Sequence, residues 1–143
     1  MTVTRESATM EGIMSTNLPP ITLTTEDSDR LRRLADAAAA KFPRTAEFLA
    51  REVDRAELIE DAGTTQTLVT MGSEVVYRDD ETGKTRWVTL VYPDEADLDS
   101  GKISVLTPIG AALIGLSVNQ SIEFETPTGA TRSLTVMSVR KPG

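Results

Sequence analysis

The sequence predicts an α+β fold, and three observations predict it. Two stretches between residues 24 and 60 carry apolar residues at steps of three and four, the period of a helix packed on one side. From Thr67 onward apolar and polar residues tend to alternate, the period of a half-buried strand. Among those strand patterns lies Ile103-Ser-Val-Leu-Thr-Pro-Ile-Gly-Ala-Ala-Leu-Ile-Gly-Leu116. It begins as a strand, turns at Thr107-Pro108 and coils into a short apolar helix that ends at Gly115. Helices first and strands after place the helices to one side of a sheet rather than in alternating βαβ units.

Residues 1–20 are rich in Thr, Ser and Met, end in Leu18-Pro19-Pro20 and show no period, which reads as a disordered lead-in. Residues 24–42 read as a helix. Thr24 or Thr25 caps its first free N–H groups, and Glu26, Asp27 and Asp29 suit the positive end of its dipole. Leu31, Leu34, Ala38 and Phe42 share one face, and Glu26–Arg30 and Asp29–Arg33 form acid-then-base pairs one turn apart. Pro43 is expected to stop it, because the residue before a proline avoids the helical region. Residues 46–60 read as a second helix capped by Thr45, with Ala46, Leu49, Val53 and Ala56 inward and Glu47–Arg51 paired on the flank. So short a connection implies an antiparallel helical hairpin, a short coiled coil about 25 Å long over residues 21–62. Its Ala-rich stripes bury little, so its base must lean on the rest of the chain.

Residues 63–143 read as an antiparallel sheet packed on the short helix near Ala111–Leu113. Leu68–Met71 is a short strand. Ser73–Arg78 and Arg86–Tyr92 flank a hairpin loop at Asp79–Gly83, and Lys102–Leu106 follows an acidic loop over residues 93–101. Ser121–Thr126 and Thr131–Val139 flank a second hairpin loop at Pro127–Ala130. Ile122 and Phe124 alternate with Glu123 and Glu125, so one face is buried and the other wet.

Composition narrows the function classes. The chain has no cysteine and no histidine, which removes disulfides, the usual zinc sites and any Cys- or His-based catalytic centre. Net charge is −7, and residues 22–62 and 63–143 each hold 10 acids and 7 bases, so neither half is a basic nucleic-acid arm. With aromatics at 4%, a stacking platform for bases is not expected. Residues 1–20 lack the basic start and apolar run of a secretory signal, and no stretch approaches the roughly 20 apolar residues of a membrane span, so the chain reads as cytoplasmic. Asp94, Glu95, Asp97 and Asp99 lack the spacing of an EF-hand and read as a solvated loop. Gly110 and Gly115 flank one helical turn and make no phosphate loop. Trp87 reads as a packing residue on its strand. No catalytic residue, cofactor or metal site is expected.

Several strings occur together in a recognisable order. They are Glu52-Val-Asp-Arg-Ala56, Val69-Thr-Met-Gly-Ser73, Thr89-Leu-Val-Tyr-Pro93, Ile103-Ser-Val105, Pro108-Ile-Gly-Ala-Ala-Leu-Ile-Gly-Leu116 and Pro127-Thr-Gly129. In this the chain resembles, over about residues 21–139, the Rnk family, relatives of the GreA/GreB transcript-cleavage factors. The resemblance implies a helical hairpin joined to a C-terminal domain of FKBP-like fold. It implies RNA polymerase as the partner, met at the rim of the secondary channel. The chain is expected to be a monomer, and its charge balance predicts no direct sequence-specific contact to nucleic acid. The resemblance carries the partner-binding turn onto Ser104, Leu106, Thr107 and Pro108. Where the Gre pattern has a polar or acidic residue before a Ser-Pro pair, this chain has Leu106 and Thr107. Where the family often has Gly-Asp, it has Asn119-Gln120, and Asn tolerates a positive φ.

In the Gre relatives two acids at the coiled-coil tip hold a catalytic magnesium. Here the tip is Lys41, Phe42, Pro43 and Arg44, two cations and no carboxylate, on a shorter hairpin. A magnesium site needs clustered oxygen ligands. The expected function is therefore a regulator at the secondary channel without transcript-cleavage activity. The alternatives are a GreA-like cleavage-stimulating factor and an FKBP-like ligand- or peptide-binding module.

Overall fold

The computed structural model describes residues 18–60, 67–126 and 128–141. The lead-in expected over residues 1–20 thus falls outside it except for Leu18–Pro20, and Pro127 of the second hairpin loop lies outside it as well.

In chain order the elements are β1 (Thr22–Thr24), α1 (Thr25–Ala38), α2 (Pro43–Arg55), β2 (Glu57–Ile59), β3 (Glu74–Asp79), β4 (Thr85–Val91), β5 (Lys102–Ser104), α3 (Pro108–Leu113), β6 (Ser121–Glu125) and β7 (Thr131–Arg140). β3 to β7 form one five-stranded sheet in the order β5-β4-β3-β7-β6, and β1 and β2 form a separate parallel pair. The expected mixture of helix and sheet is present.

The helix boundaries differ from the sequence reading at the connection. Thr24 caps α1 as expected, its hydroxyl accepting from the Asp27 N–H at 3.0 Å. α1 ends at Ala38, however, and Pro43 opens α2 instead of merely closing α1. The first position of a helix needs no N–H partner and suits the fixed φ of proline, so the residue that forbids one helix starts the next. The cap position of α2 is Phe42, without a side-chain cap, rather than Thr45. α2 stops at Arg55, and Glu57–Ile59 leave the helical path to pair with β1.

The sheet departs from the all-antiparallel expectation at one edge. β5 runs parallel to β4, pairing Thr89 with Lys102 and Val91 with Ser104, while the remaining pairs are antiparallel. Two 3₁₀ turns, Pro93–Glu95 and Leu98–Ser100, occupy the acidic loop that makes this crossover. β5 ends at Ser104, short of the expected Leu106. Leu68–Met71 is no strand but contributes an isolated bridge from Leu68 to Ser117. The β3–β7 register shifts between Val76 and Tyr77, a bulge that accommodates the long β7. Asn119 has φ 76°, as expected of an Asn in that turn.

Leu31, Ala35, Leu49 and Val53 of the helix pair share one apolar core with Val75, Leu90, Leu113, Ile122 and Leu134. Of the expected α1 stripe, Leu31 and Ala38 are buried, whereas Phe42 is 51% exposed. Backbone bonds tie β1 to the segment after α3, and that segment to Val69. The Thr22 N–H donates to the Gly115 carbonyl at 3.1 Å, and the Gly115 N–H donates to Val69 at 3.0 Å. Gly115 has φ +84° and lies against Ile21, where a Cβ would come within 3.0 Å of that side chain. Trp87 lies on the outer sheet face, 53% exposed, with its ring beside Gly101.

Candidate partner-docking site

The turn after β5 is built by its own side chains. The Ser104 hydroxyl accepts the Leu106 N–H at 2.9 Å, and the Thr107 hydroxyl donates to the Ser104 carbonyl at 2.7 Å. The Thr107 hydroxyl also accepts the Gly110 N–H at 3.0 Å and so caps α3, whose first residue is Pro108. Gly110 is required by contact rather than by its dihedrals. A Cβ there would stand 2.2 Å from the Ser104 carbonyl oxygen. The turn and the helix start are therefore one rigid piece.

The connection between α1 and α2 faces that piece. The Phe42 N–H donates to the Ala38 carbonyl at 2.8 Å, and the Phe42 carbonyl accepts from Ala46 at 2.8 Å, so the residue bonds back to the end of α1 while opening α2. Between the two lies a cleft of about 760 Å³, lined by Phe42, Pro43, Arg44 and Phe48 on one side and by Leu106, Thr107, Pro108 and Phe124 on the other. Arg44 reaches across to Glu125 at 3.7 Å, and Arg51 pairs with Glu47 at 3.0 Å.

Six of the residues singled out from the sequence thus meet in one cleft. Ser104 stands behind it as the support of the turn, and Lys41 is exposed and outside the lining. The two groups of candidates had no reason in the sequence to meet. Reading the sequence missed Phe48, Phe124 and Glu125. Phe48 lies off the α2 stripe, and Phe124 and Glu125 read only as the inward and outward sides of a strand. The available signal was scarcity. The chain holds three phenylalanines, and all three line this cleft.

A second, polar cleft lies at the other end of the helix pair, between α1 and the segments around Thr70 and Tyr92. The Arg30 guanidinium stacks 4.3 Å from the centre of the Tyr92 ring, and burial pushes the Tyr92 phenol up to about 12. Burial likewise raises Asp27, whose carboxylate accepts the Met71 N–H at 3.1 Å. Burial lowers Lys141, whose ammonium donates to the Leu68 carbonyl and to Thr70. These contacts fasten α1 and the C-terminal residues to the 68–73 segment. Among the described residues no three acidic side chains are grouped as metal ligands would be.

Residues 64–141 match the family described as transcription elongation factor GreA/GreB, C-term, and residues 19–59 match the Rnk N-terminus. The chain belongs to the Rnk and GreA/GreB family. The regulator of nucleoside diphosphate kinase of Escherichia coli (strain K12) is 35% identical to it over 121 residues, 85% of this chain and 89% of that one. Transcription elongation factor GreA of Syntrophobacter fumaroxidans is 38% identical over 92 residues, 64% of this chain and 58% of that one. Among solved structures, the prokaryotic transcription elongation factor GreA/GreB from Nitrosomonas europaea is similar at 34% identity with a TM-score of 0.66, over 85% of this chain and 98% of that chain. The fold is thus GreA/GreB-like, and these relatives carry the names of a regulator and of elongation factors, not of classical enzymes. No helix among the described residues is long and apolar enough to cross a membrane.

Proposed function

We propose that this chain is a non-enzymatic regulator of transcription that binds RNA polymerase at the rim of its secondary channel and does not stimulate transcript cleavage. Residues 21–62 act as a short antiparallel coiled coil, and residues 63–143 as an FKBP-like docking domain. The protein works as a cytoplasmic monomer. It competes with longer channel factors or alters the access of small molecules to the channel.

The observation that carries this reading is the turn Ser104–Pro108. It is pre-organised by the Ser104 and Thr107 hydroxyls and opens directly on an apolar cleft. A partner meeting such a turn spends little free energy on ordering it. Against cleavage stands the chemistry of the tip. Lys41 and Arg44 are cationic, and the nearby carboxylates Glu125 and Glu47 are each engaged by an arginine. A magnesium ion brought there would have to displace a guanidinium from each carboxylate.

Titration of core RNA polymerase with the full chain tests the reading. Binding at micromolar concentration is expected, weakened when Thr107 and Pro108 are changed together to Ala. Absence of binding, or binding indifferent to that double change, would overturn it. Faster RNA cleavage by a stalled complex with magnesium would replace it with the GreA-like reading. Thermal stabilisation by a peptide or small molecule without polymerase binding would favour the ligand-binding module.

A further inference from the structure

We propose that the tip of the helix pair is the second wall of the docking groove, and that the groove receives an uncharged, apolar ridge of the polymerase. This rests on the docking role of the Ser104–Pro108 turn and adds to it the chemistry of the contact. Phe42 from the helix connection, Phe48 from α2 and Phe124 from β6 converge with Leu106 and Pro108 on one cleft. Phe42 leaves half of its surface in water, at 51% exposure, although a stripe of buried apolar residues lies one turn away on α1. An aromatic ring held open at the mouth of a groove is the kind of anchor from which interfaces draw most of their binding energy.

The rim decides what the groove takes. Its charged side chains are already matched within the chain, Arg44 with Glu125 and Arg51 with Glu47. A phosphate arriving there meets a carboxylate beside each guanidinium, and an ammonium meets a guanidinium beside each carboxylate. Neither sign of ligand gains an unpaired charge, whereas an apolar ridge gains contact with the open Phe42 ring and the half-buried Phe48. Both walls are also stiff. Pro43 and the Phe42 backbone lock one, and the Thr107 cap locks the other. The tip is accordingly a clamp jaw set against α3 and β6 rather than a probe extended away from them.

The experiment is a titration of core RNA polymerase with the full chain and three variants, Phe42→Ser, Phe42→Leu and Thr107→Ala/Pro108→Ala, at two salt concentrations. Phe42→Ser is expected to weaken binding about tenfold and Phe42→Leu to restore most of it, the pattern of a contact that needs only apolar surface. Raising salt from about 0.1 to about 0.5 M is expected to change the affinity less than about threefold, because screening acts on charge and not on apolar contact. Full binding by Phe42→Ser alongside weakened binding by Thr107→Ala/Pro108→Ala would overturn the second wall and leave the docking turn standing. A steep loss with salt would overturn the apolar occupant in favour of a charged one. No binding by the unmodified chain would remove the docking reading itself and this inference with it.

Discussion

At its base the helix pair is tied into the core by buried groups, whereas at its tip an exposed ion pair spans an open groove. Glu52 is fully buried on α2 and meets Arg55 through two hydrogen bonds of 2.8 Å, while Arg55 also holds the Pro19 carbonyl. Asp27 and Thr22 add bonds to Met71 and Gly115. At the tip, Arg44 and Glu125 are mostly exposed and 3.7 Å apart. The same helices therefore serve two purposes. Their base secures the fold by removing polar groups from water in matched pairs, and their tip keeps apolar surface available because little there is buried.

Substitutions at the two ends break or sharpen this contrast. The largest effect is expected from Glu52→Ala, which leaves a half-buried guanidinium without its carboxylate and should lower unfolding stability by about 3 kcal/mol in a urea titration. Gly110→Ala forces a Cβ toward the Ser104 carbonyl and should cost about 2 kcal/mol by the same measurement, and it should weaken polymerase binding because the turn itself must shift. Asp27→Asn tests the base by pH. Burial raises the Asp27 pKa above 3.8, so the folded state holds that proton more tightly than the unfolded chain. The stability contributed by the bound proton is present at low pH and is lost as pH rises through the raised folded value. The Asn variant should therefore be more stable than the natural chain near about pH 7, with the gain fading near about pH 3. Arg44→Ala is the smallest, under about 0.5 kcal/mol, as for other exposed ion pairs. A large loss of stability there would mean that the tip, too, is a structural anchor.

The sequence made much of the site readable in pieces. Thr107-Pro108 could be seen as the turn from a strand into a short helix, because a proline restricts the residue before it and that chemistry is local. The Lys41–Arg44 connection was visible for the same reason, although Pro43 was read as the end of α1 when α1 stops at Ala38 and Pro43 begins α2. β1 and β2 were not visible. Each is three residues long, and their pairing of Thr22 with Glu57 joins segments on opposite sides of both helices. The parallel edge of β5 was hidden likewise, since strand direction depends on the path of the acidic loop and not on alternation. Phe48 and Phe124 were legible only as apolar residues on separate elements.

By itself the sequence determined the order of the three helices and of β3 to β7, the turn at Thr107-Pro108 that leads into α3, the absence of thiol and imidazole chemistry, and the family. All of these follow from residue identity and short-range spacing. Only the tertiary structure decided that the helix tip faces the Thr107–Pro108 turn, that three phenylalanines share a groove, and that Arg44 meets Glu125. Those contacts join residues as many as 82 positions apart, from Phe42 to Phe124. They exist because Leu31, Leu49 and Val53 bury against the sheet core and thereby set the angle at which the tip arrives.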